Sequence, residues 1–147
     1  MIDPVIKYIT DFVDAGADII TVHVEAEDDT RGAVELVRSL GKKAGIAINP
    51  ETKIDTIIPF LDVIDQVIVM SVHPGFAGQS FIGDSIDRIR KIKTLIANRD
   101  ILLEVDGGIS SLCSQDCINA GCDILVAGSS IFNTNSYERS ISEIIGS

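Results

Sequence analysis

The sequence predicts an α/β fold, one partial barrel domain over residues 1–147 built from about five parallel strands, each followed by a helix. Three observations carry that expectation. Short Val- and Ile-rich runs alternate with segments of helical periodicity, and no linker separates them. Three consecutive apolar runs break into glycine: Met70 leads into Ser-Val-His-Pro-Gly-Phe-Ala-Gly-Gln, Val105 into Asp106-Gly107-Gly108, and Val126 into Ala127-Gly128-Ser129. Residues 14–22 (DAGADIITV) also echo 119–127 (NAGCDILVA), as expected of one βα unit used twice. Buried strands that end in glycine suggest backbone N–H groups gathered around a phosphate at one end of a parallel barrel.

Each element has a local reason. Asp3 is expected to cap, and Pro4 to open, a helix with Val5, Ile9, Phe12 and Val13 on one face, stopped by Gly16. Residues 19–24 read as a strand. Thr30 is the expected cap of the next helix, whose apolar face is Val34, Leu36, Val37 and Leu40 and whose end is Gly41. Residues 44–48 form a short strand ending at Asn49-Pro50, and a capping box over 52–55 opens a short helix to about Leu61. Residues 66–71 are the next strand, and 73–80 its long loop. Ile86, Ile89, Ile92, Leu95 and Ile96 give a helix over 84–98. A strand over 101–105, a helix over 111–119, a strand over 124–127 and a last helix from Ser136 complete the pattern.

Composition narrows the function classes. The chain has 22 acidic and 12 basic residues, a net charge of −10 and no basic cluster. Nucleic acid and anionic membrane surfaces are therefore not expected partners. A phosphorylated small molecule remains compatible, since glycine N–H groups bind phosphate whatever the net surface charge. Cys113, Cys117 and Cys122 lack the paired spacing of a zinc site and read as reduced, small hydrophobes of a cytoplasmic protein. No apolar run approaches the ~20 residues of a membrane span.

Residues 70–82 (MSVHPGFAGQSFI), 104–109 (EVDGGI) and 126–132 (VAGSSIF) resemble the ribulose-phosphate 3-epimerase family of (β/α)8 TIM barrels. Residues 15–26 (AGADIITVHVEA) and 44–50 (AGIAINP) fit that family in the same order and spacing. The resemblance implies metal-assisted interconversion of D-ribulose 5-phosphate and D-xylulose 5-phosphate, in the pentose phosphate pathway, through an enediolate. It further implies that Asp106 is both a proton-transfer residue and a ligand of a divalent metal (Zn, Fe or Mn). Gly75, Phe76, Ala77, Gly78, Gly107, Gly108, Gly128 and Ser129 correspond to the phosphate site, and Met1 and Met70 to methionines lining the pocket. Ala77 stands where most members carry glycine.

The family's second carboxylate and two metal-binding histidines find no matching position here. Met1-Ile2-Asp3-Pro4 resembles the segment after the family's third strand, and a complete barrel of this type runs to roughly 250 residues. The chain alone is therefore expected to show no appreciable epimerase turnover. It is also expected to pair through open sheet edges, as a homo-oligomer or with another fragment. A hexulose-6-phosphate 3-epimerase and a non-catalytic phosphosugar-binding fragment are the alternative readings. The Asp-x-Lys-x-x-Asp segment of decarboxylases sharing this barrel is absent. His23 reads as a satisfied strand residue, His73 as a loop residue without an assigned role, and Glu25 and Glu27 as surface or loop residues. The bland reading of Asp106 is an Asp turning the chain ahead of two glycines, and that of Met70 is plain core.

Overall fold

A computed structural model describes residues 1–26 and 29–146. Five strands form one all-parallel sheet in chain order: β1 Ile19–His23, β2 Lys43–Ile48, β3 Gln66–Met70, β4 Leu102–Asp106 and β5 Ile124–Val126. The helices are α1 Ile6–Asp14, α2 Thr30–Ser39, α3 Ser85–Ile96, α4 Ser114–Asn119, α5 Ser129–Phe132 and α6 Tyr137–Ile145, with a 3₁₀ helix at Ile54–Phe60. This is the partial barrel order that the alternation predicts.

The register gives the sheet two unlike faces. Ile46 pairs with Val67, and Val69 with Val105, on the face beneath the helices. There Ile46, Ile48, Val67, Val69, Leu103 and Val105 are fully buried. They meet Val34 and Val37 of α2, Ile89, Ile92 and Ile96 of α3, and Cys117 of α4 in one core. Burying such a side chain stabilises the fold by roughly 1.5–3 kcal/mol. The opposite face carries Thr21 and His23, Gly45 and Ala47, Gln66, Ile68 and Met70, then Glu104 and Asp106. That inner face is small or polar at its centre and open at its edges, where Ile19 and Val126 are 38% and 37% exposed.

The echoed segments fold alike. Gly16 and Gly121 end α1 and α4 at φ +100° and +101°, a region that favours glycine. Asp123 accepts the Leu103 N–H at 2.9 Å, and Asp65 accepts the Ala44 N–H at 2.9 Å. An Asp just ahead of a strand thus ties it to its neighbour. All three cysteines are free thiols. Burial, with Cys113, Cys122 and Asp116 nearby, pushes Cys117 up to about 12, and burial raises Cys122 to about 11, so both are inert. No helix of the described residues is long and apolar enough to cross a membrane.

Several expected caps are replaced. Asp3 does not cap α1, which starts at Ile6 with Val5 in the cap position. Asp29, not Thr30, caps α2 by accepting the Gly32 N–H at 3.0 Å. The capping box over 52–55 does not form. Pro59 lies inside that segment and Lys53 holds the cap position without a side-chain bond, leaving a 3₁₀ helix. The helix expected from 111 begins at Ser114, and α5 was not expected. The last helix, expected from Ser136, runs from Tyr137 with Ser136 as its cap.

Candidate active site

The C-terminal ends of the strands carry Asn49, Ser71, Asp106 and, one residue beyond Ala127, Gly128. The loop after β3 is held from both sides. The Ser71 N–H donates to the Asp106 carbonyl at 2.8 Å, and the Ser71 hydroxyl donates to the Gly107 carbonyl at 2.6 Å. The Gln79 side-chain amide donates to the carbonyls of His73 (2.6 Å) and Phe76 (3.0 Å), folding the loop on itself. Gly107 and Gly108 have φ +123° and +65°. A Cβ on Gly108 would stand 2.5 Å from the Phe81 nitrogen, so glycine lets this loop lie against β4. The Ser130 hydroxyl donates to the Ile109 carbonyl at 2.6 Å and joins the third junction to the second.

The three glycine junctions are therefore one connected rim. Within it, Phe76 is almost fully exposed, Gly75 and Gly78 have open space where a Cβ would stand, and so does Gly128. Gly107 and Gly108 have a packing reason to be glycine, which the spacing of the sequence did not reveal.

Beside the rim lies a cleft of about 540 Å³. Its sheet wall includes His23, Asn49, Ile68, Met70, Pro74 and Asp106, and Met1, Ile9 and Phe12 close the other side. Both expected pocket methionines line it; Met70 is buried and Met1 exposed. The glycines of the rim do not line this cleft, whose boundary on that side is Pro74 and Asp106. Asp106 ends β4 in register with Met70. Burial pushes its carboxyl above the usual range, and the nearby His23 opposes that shift. Two residues earlier on the same face, Glu104 is pushed up by burial and by the charge of Asp106, against a hydrogen bond from the Gln66 amide.

A second polar cluster borders the cleft at β1 and β2, around the histidine read from the sequence as a satisfied strand residue and Glu25, read as a surface or loop residue. His23 Nδ1 stands 3.1 Å from Glu25 Oε2, while Glu25 Oε1 accepts the Asn49 N–H at 2.8 Å. Burial works against the Glu25 carboxylate, yet Thr52, Asn49 and His23 together hold it below the usual range. The Arg88 guanidinium donates to the carbonyls of Asn49 (3.0 Å) and Thr52 (2.8 Å). The side-chain oxygen of Asn49, the Ser85 hydroxyl and the Arg88 Nε are buried without a partner. His73 pairs with Glu51 at 2.9 Å on the exposed rim. Glu27 lies outside the described residues. The only hint of the cluster in the sequence was the His-x-Glu pattern at the end of an apolar run.

The resemblance implies a divalent metal held in part by Asp106. Among the described residues, no three His, Cys, Asp or Glu side chains stand together to hold an ion. The residues present do not by themselves fit a resident metal, since transition-metal sites draw three or four protein ligands.

Residues 1–132 match the Ribulose-phosphate 3 epimerase family. The chain is 39% identical to the ribulose-phosphate 3-epimerase of Bacillus subtilis (strain 168) over 150 aligned positions, covering 100% of this chain and 69% of that protein. For the Escherichia coli (strain K12) enzyme of that name the figures are 40% over 146 positions, 98% and 65%. For that of Synechocystis sp. they are 42% over 142, 94% and 62%. The chain thus spans about two thirds of the length of these relatives. In fold it is similar to a 3-hexulose-6-phosphate synthase from Salmonella typhimurium, with TM-score 0.73 at 22% identity, covering 98% of this chain and 67% of that one. A 3-keto-L-gulonate-6-phosphate decarboxylase from Vibrio cholerae gives TM-score 0.74 at 20% identity, with coverages of 98% and 66%. A family match over residues 1–132 and about 40% identity to curated members along nearly the whole sequence, on a parallel sheet whose last three strands end in a glycine rim, make this chain a member of the ribulose-phosphate 3-epimerase family.

Proposed function

We propose that the chain binds a phosphorylated ketose and moves the proton of its C3 with Asp106. The substrates are D-ribulose 5-phosphate and D-xylulose 5-phosphate. The observation that carries this reading is the place of Asp106: it ends a strand on the cleft wall, beside Gly107 and the rim. A carboxyl raised by burial is a stronger base when ionised than one in water, as proton abstraction next to a ketone demands. The phosphate is placed on the rim, against the N–H groups of Gly78, Gly108 and Ser129, and the sugar then reaches Asp106. Family membership in ribulose-phosphate 3-epimerases supports the pentulose reading over the hexulose one.

Two measurements test it. Titration with xylulose 5-phosphate, followed by backbone amide NMR, should shift Gly78, Gly108 and Ser129; shifts confined to other amides would refute the cradle. In D₂O, the chain should exchange the C3 proton of bound pentulose phosphate for deuterium, and Asp106→Asn should abolish that. Exchange at an unchanged rate in Asp106→Asn would remove Asp106 from the reaction.

The edge strands are part of the same proposal. β1 and β5 each pair on one side only within the described sheet. Phe12 and Ile19 at one edge, and Ile141 and Ile145 at the other, are exposed. We place self-association there, as unpaired edges and exposed apolar side chains favour it. Sedimentation at micromolar concentration should show species larger than the monomer; a sharp monomer boundary would refute it.

A further inference from the structure

The loop after β3 borders both parts of the site. Pro74, near its start, lines the cleft that holds Asp106. Gly78, four residues on, belongs to the rim on which the phosphate is placed. This inference rests on that placement and asks what holds the two ends of the loop at a fixed distance. A phosphosugar spanning rim and cleft needs the distance set before it binds, because ordering the loop during binding costs affinity.

The backbone anchors of the loop lie at its base. The Ser71 N–H donates to the Asp106 carbonyl at 2.8 Å, and the Ile82 N–H to the Ser71 carbonyl at 2.9 Å. Between them the chain makes two short turns, at residues 74–75 and 77–78, with Gly75 at φ +138° and Gly78 at φ +79°. Glycine adopts such angles freely, and the same freedom lets an unbraced loop move.

Gln79 supplies the brace. The carbonyls just ahead of the two turns are those of His73 and Phe76, and the Gln79 side-chain nitrogen donates to both, at 2.6 and 3.0 Å. Its two amide hydrogens are thereby committed. One bond reaches back to the residue beside Pro74, so the amide spans the loop from its rim end to its cleft end. The Gln79 backbone is seated in turn. A Cβ on Gly108 would stand 2.8 Å from the Gln79 carbonyl oxygen, so this residue lies directly against the second glycine junction. The loop's tie to a neighbouring loop, His73 to Glu51 at 2.9 Å, joins two well-exposed groups and is screened by salt. Gln79 is partly buried between exposed Gly78 and Ser80, and its bonds stay within the loop.

We propose that Gln79 is a positioning residue for phosphosugar binding: its amide locks the loop over 73–79 and so sets the spacing between the phosphate at Gly78 and the carbon facing Asp106. It acts through the Gly78 N–H and Pro74 and does not itself touch the substrate.

The test separates loop order from affinity and from stability. Gln79→Leu keeps much of the side-chain volume and removes both donors. Gln79→Glu keeps the length and offers the carbonyls of His73 and Phe76 no N–H. Both are compared with the wild type without ligand, by ¹⁵N relaxation of the Gly75, Phe76, Ala77 and Gly78 amides. In the wild type these should be as ordered as β3, and in either variant the order parameters should fall below about 0.6. Xylulose 5-phosphate is then titrated into the wild type and Gln79→Leu. The dissociation constant of the variant should rise about tenfold, since only a fraction of its loops holds the binding shape, while Tm stays within about 2 °C. A lowered Tm with unchanged affinity would make Gln79 merely structural and overturn the proposal. A wild-type loop as mobile as that of the variants overturns it too, as does a loop that Gln79→Glu keeps ordered. Weaker binding with an unchanged loop would mean that the amide meets the phosphate itself, and that also overturns the positioning role. If the wild-type Gly78, Gly108 and Ser129 amides do not shift on titration, the cradle on which the inference rests is refuted instead.

Discussion

The two faces of the sheet are made of the same five strands and do opposite things. Beneath the helices, Ile46, Val67, Val69, Leu103 and Val105 are fully buried and apolar. Inside, the same strands present His23, Gln66, Glu104 and Asp106 among Gly45 and Ala47. Alternation along each strand separates them, so neighbouring residues serve stability and chemistry in turn. Val105 holds β4 to the core, and Asp106, the next residue, faces the cleft. The lesson is that the outer face tolerates burial because it carries nothing polar, and the inner face can hold ionisable groups because it is left partly open. Ionised groups on the outer face would have to be desolvated under three helices, at a cost of several kcal/mol each.

Truncation should expose the contrast most strongly. Leu103→Ala or Ile46→Ala on the outer face should cost about 2–5 kcal/mol, while Ile68→Ala on the inner face should cost clearly less. Urea melts of the three variants measure this. Equal losses would mean that the cleft is packed as tightly as the core.

The rim gives the next largest effect. Gly108→Ala puts a methyl group at φ +65° and 2.5 Å from the Phe81 nitrogen, so the loop over 73–82 must move. A loss of about 2 kcal/mol is expected from the strain and the collision together. A Cβ at Gly128 meets no atom within 4 Å, so Gly128→Val should leave the melt nearly unchanged while weakening phosphosugar binding. Calorimetric titration and thermal melts together separate the structural glycine from the binding one. A Gly128→Val variant that binds normally would remove the third junction from the cradle.

The cluster at β1 and β2 sharpens the comparison from the polar side. Arg88→Met would take the guanidinium donor from the carbonyls of Asn49 and Thr52, leaving Asn49 only the Thr52 N–H, at about 1–3 kcal/mol. The same change should disturb Glu25 and His23, visible as altered His23 ring resonances in NMR. Unaltered resonances would mean that Arg88 does not brace the pair.

The smallest effect is electrostatic. Glu104 is raised above its unfolded value, so the contribution of its protonated form is fully present below the unfolded pKa, about 4.3, and is lost as pH rises through the folded pKa. Glu104→Gln removes that loss. Its Tm should exceed the wild type by about 2 °C at pH 7, and the gain should vanish near pH 4. A gain that persisted at pH 4 would mean that charge is not its cause.

Much of the fold was legible along the chain. The segment over 84–98 announced α3 through five apolar residues at helical spacing, and Gly16 and Gly121 marked matching helix ends in the two echoed units. Misplaced boundaries have local causes. Asp29 competes with Thr30 for the cap of α2, and both are good caps, so only the backbone decides between them. Thr52 and Asp55 had capping-box spacing, but Pro59 and tight chain reversal left room for a 3₁₀ turn alone. Asp106 stood out because an apolar strand and two glycines frame it. His23 and Glu25 did not, because one histidine in an apolar run looks the same whether it faces core or cleft.

By itself the sequence determined the alternation of strand and helix, the glycine rim and the position of Asp106 at a strand end. Those follow from periodicity and backbone freedom, which act between near neighbours in the chain. Tertiary structure decided which face of β1 turns inward, that Gly108 must be glycine to admit Phe81, and that Arg88, 39 residues beyond Asn49, clamps the turn holding Glu25. Such facts depend on which strands lie side by side and in what register. No local pattern encodes that, because register is fixed by the packing of the whole sheet against its helices.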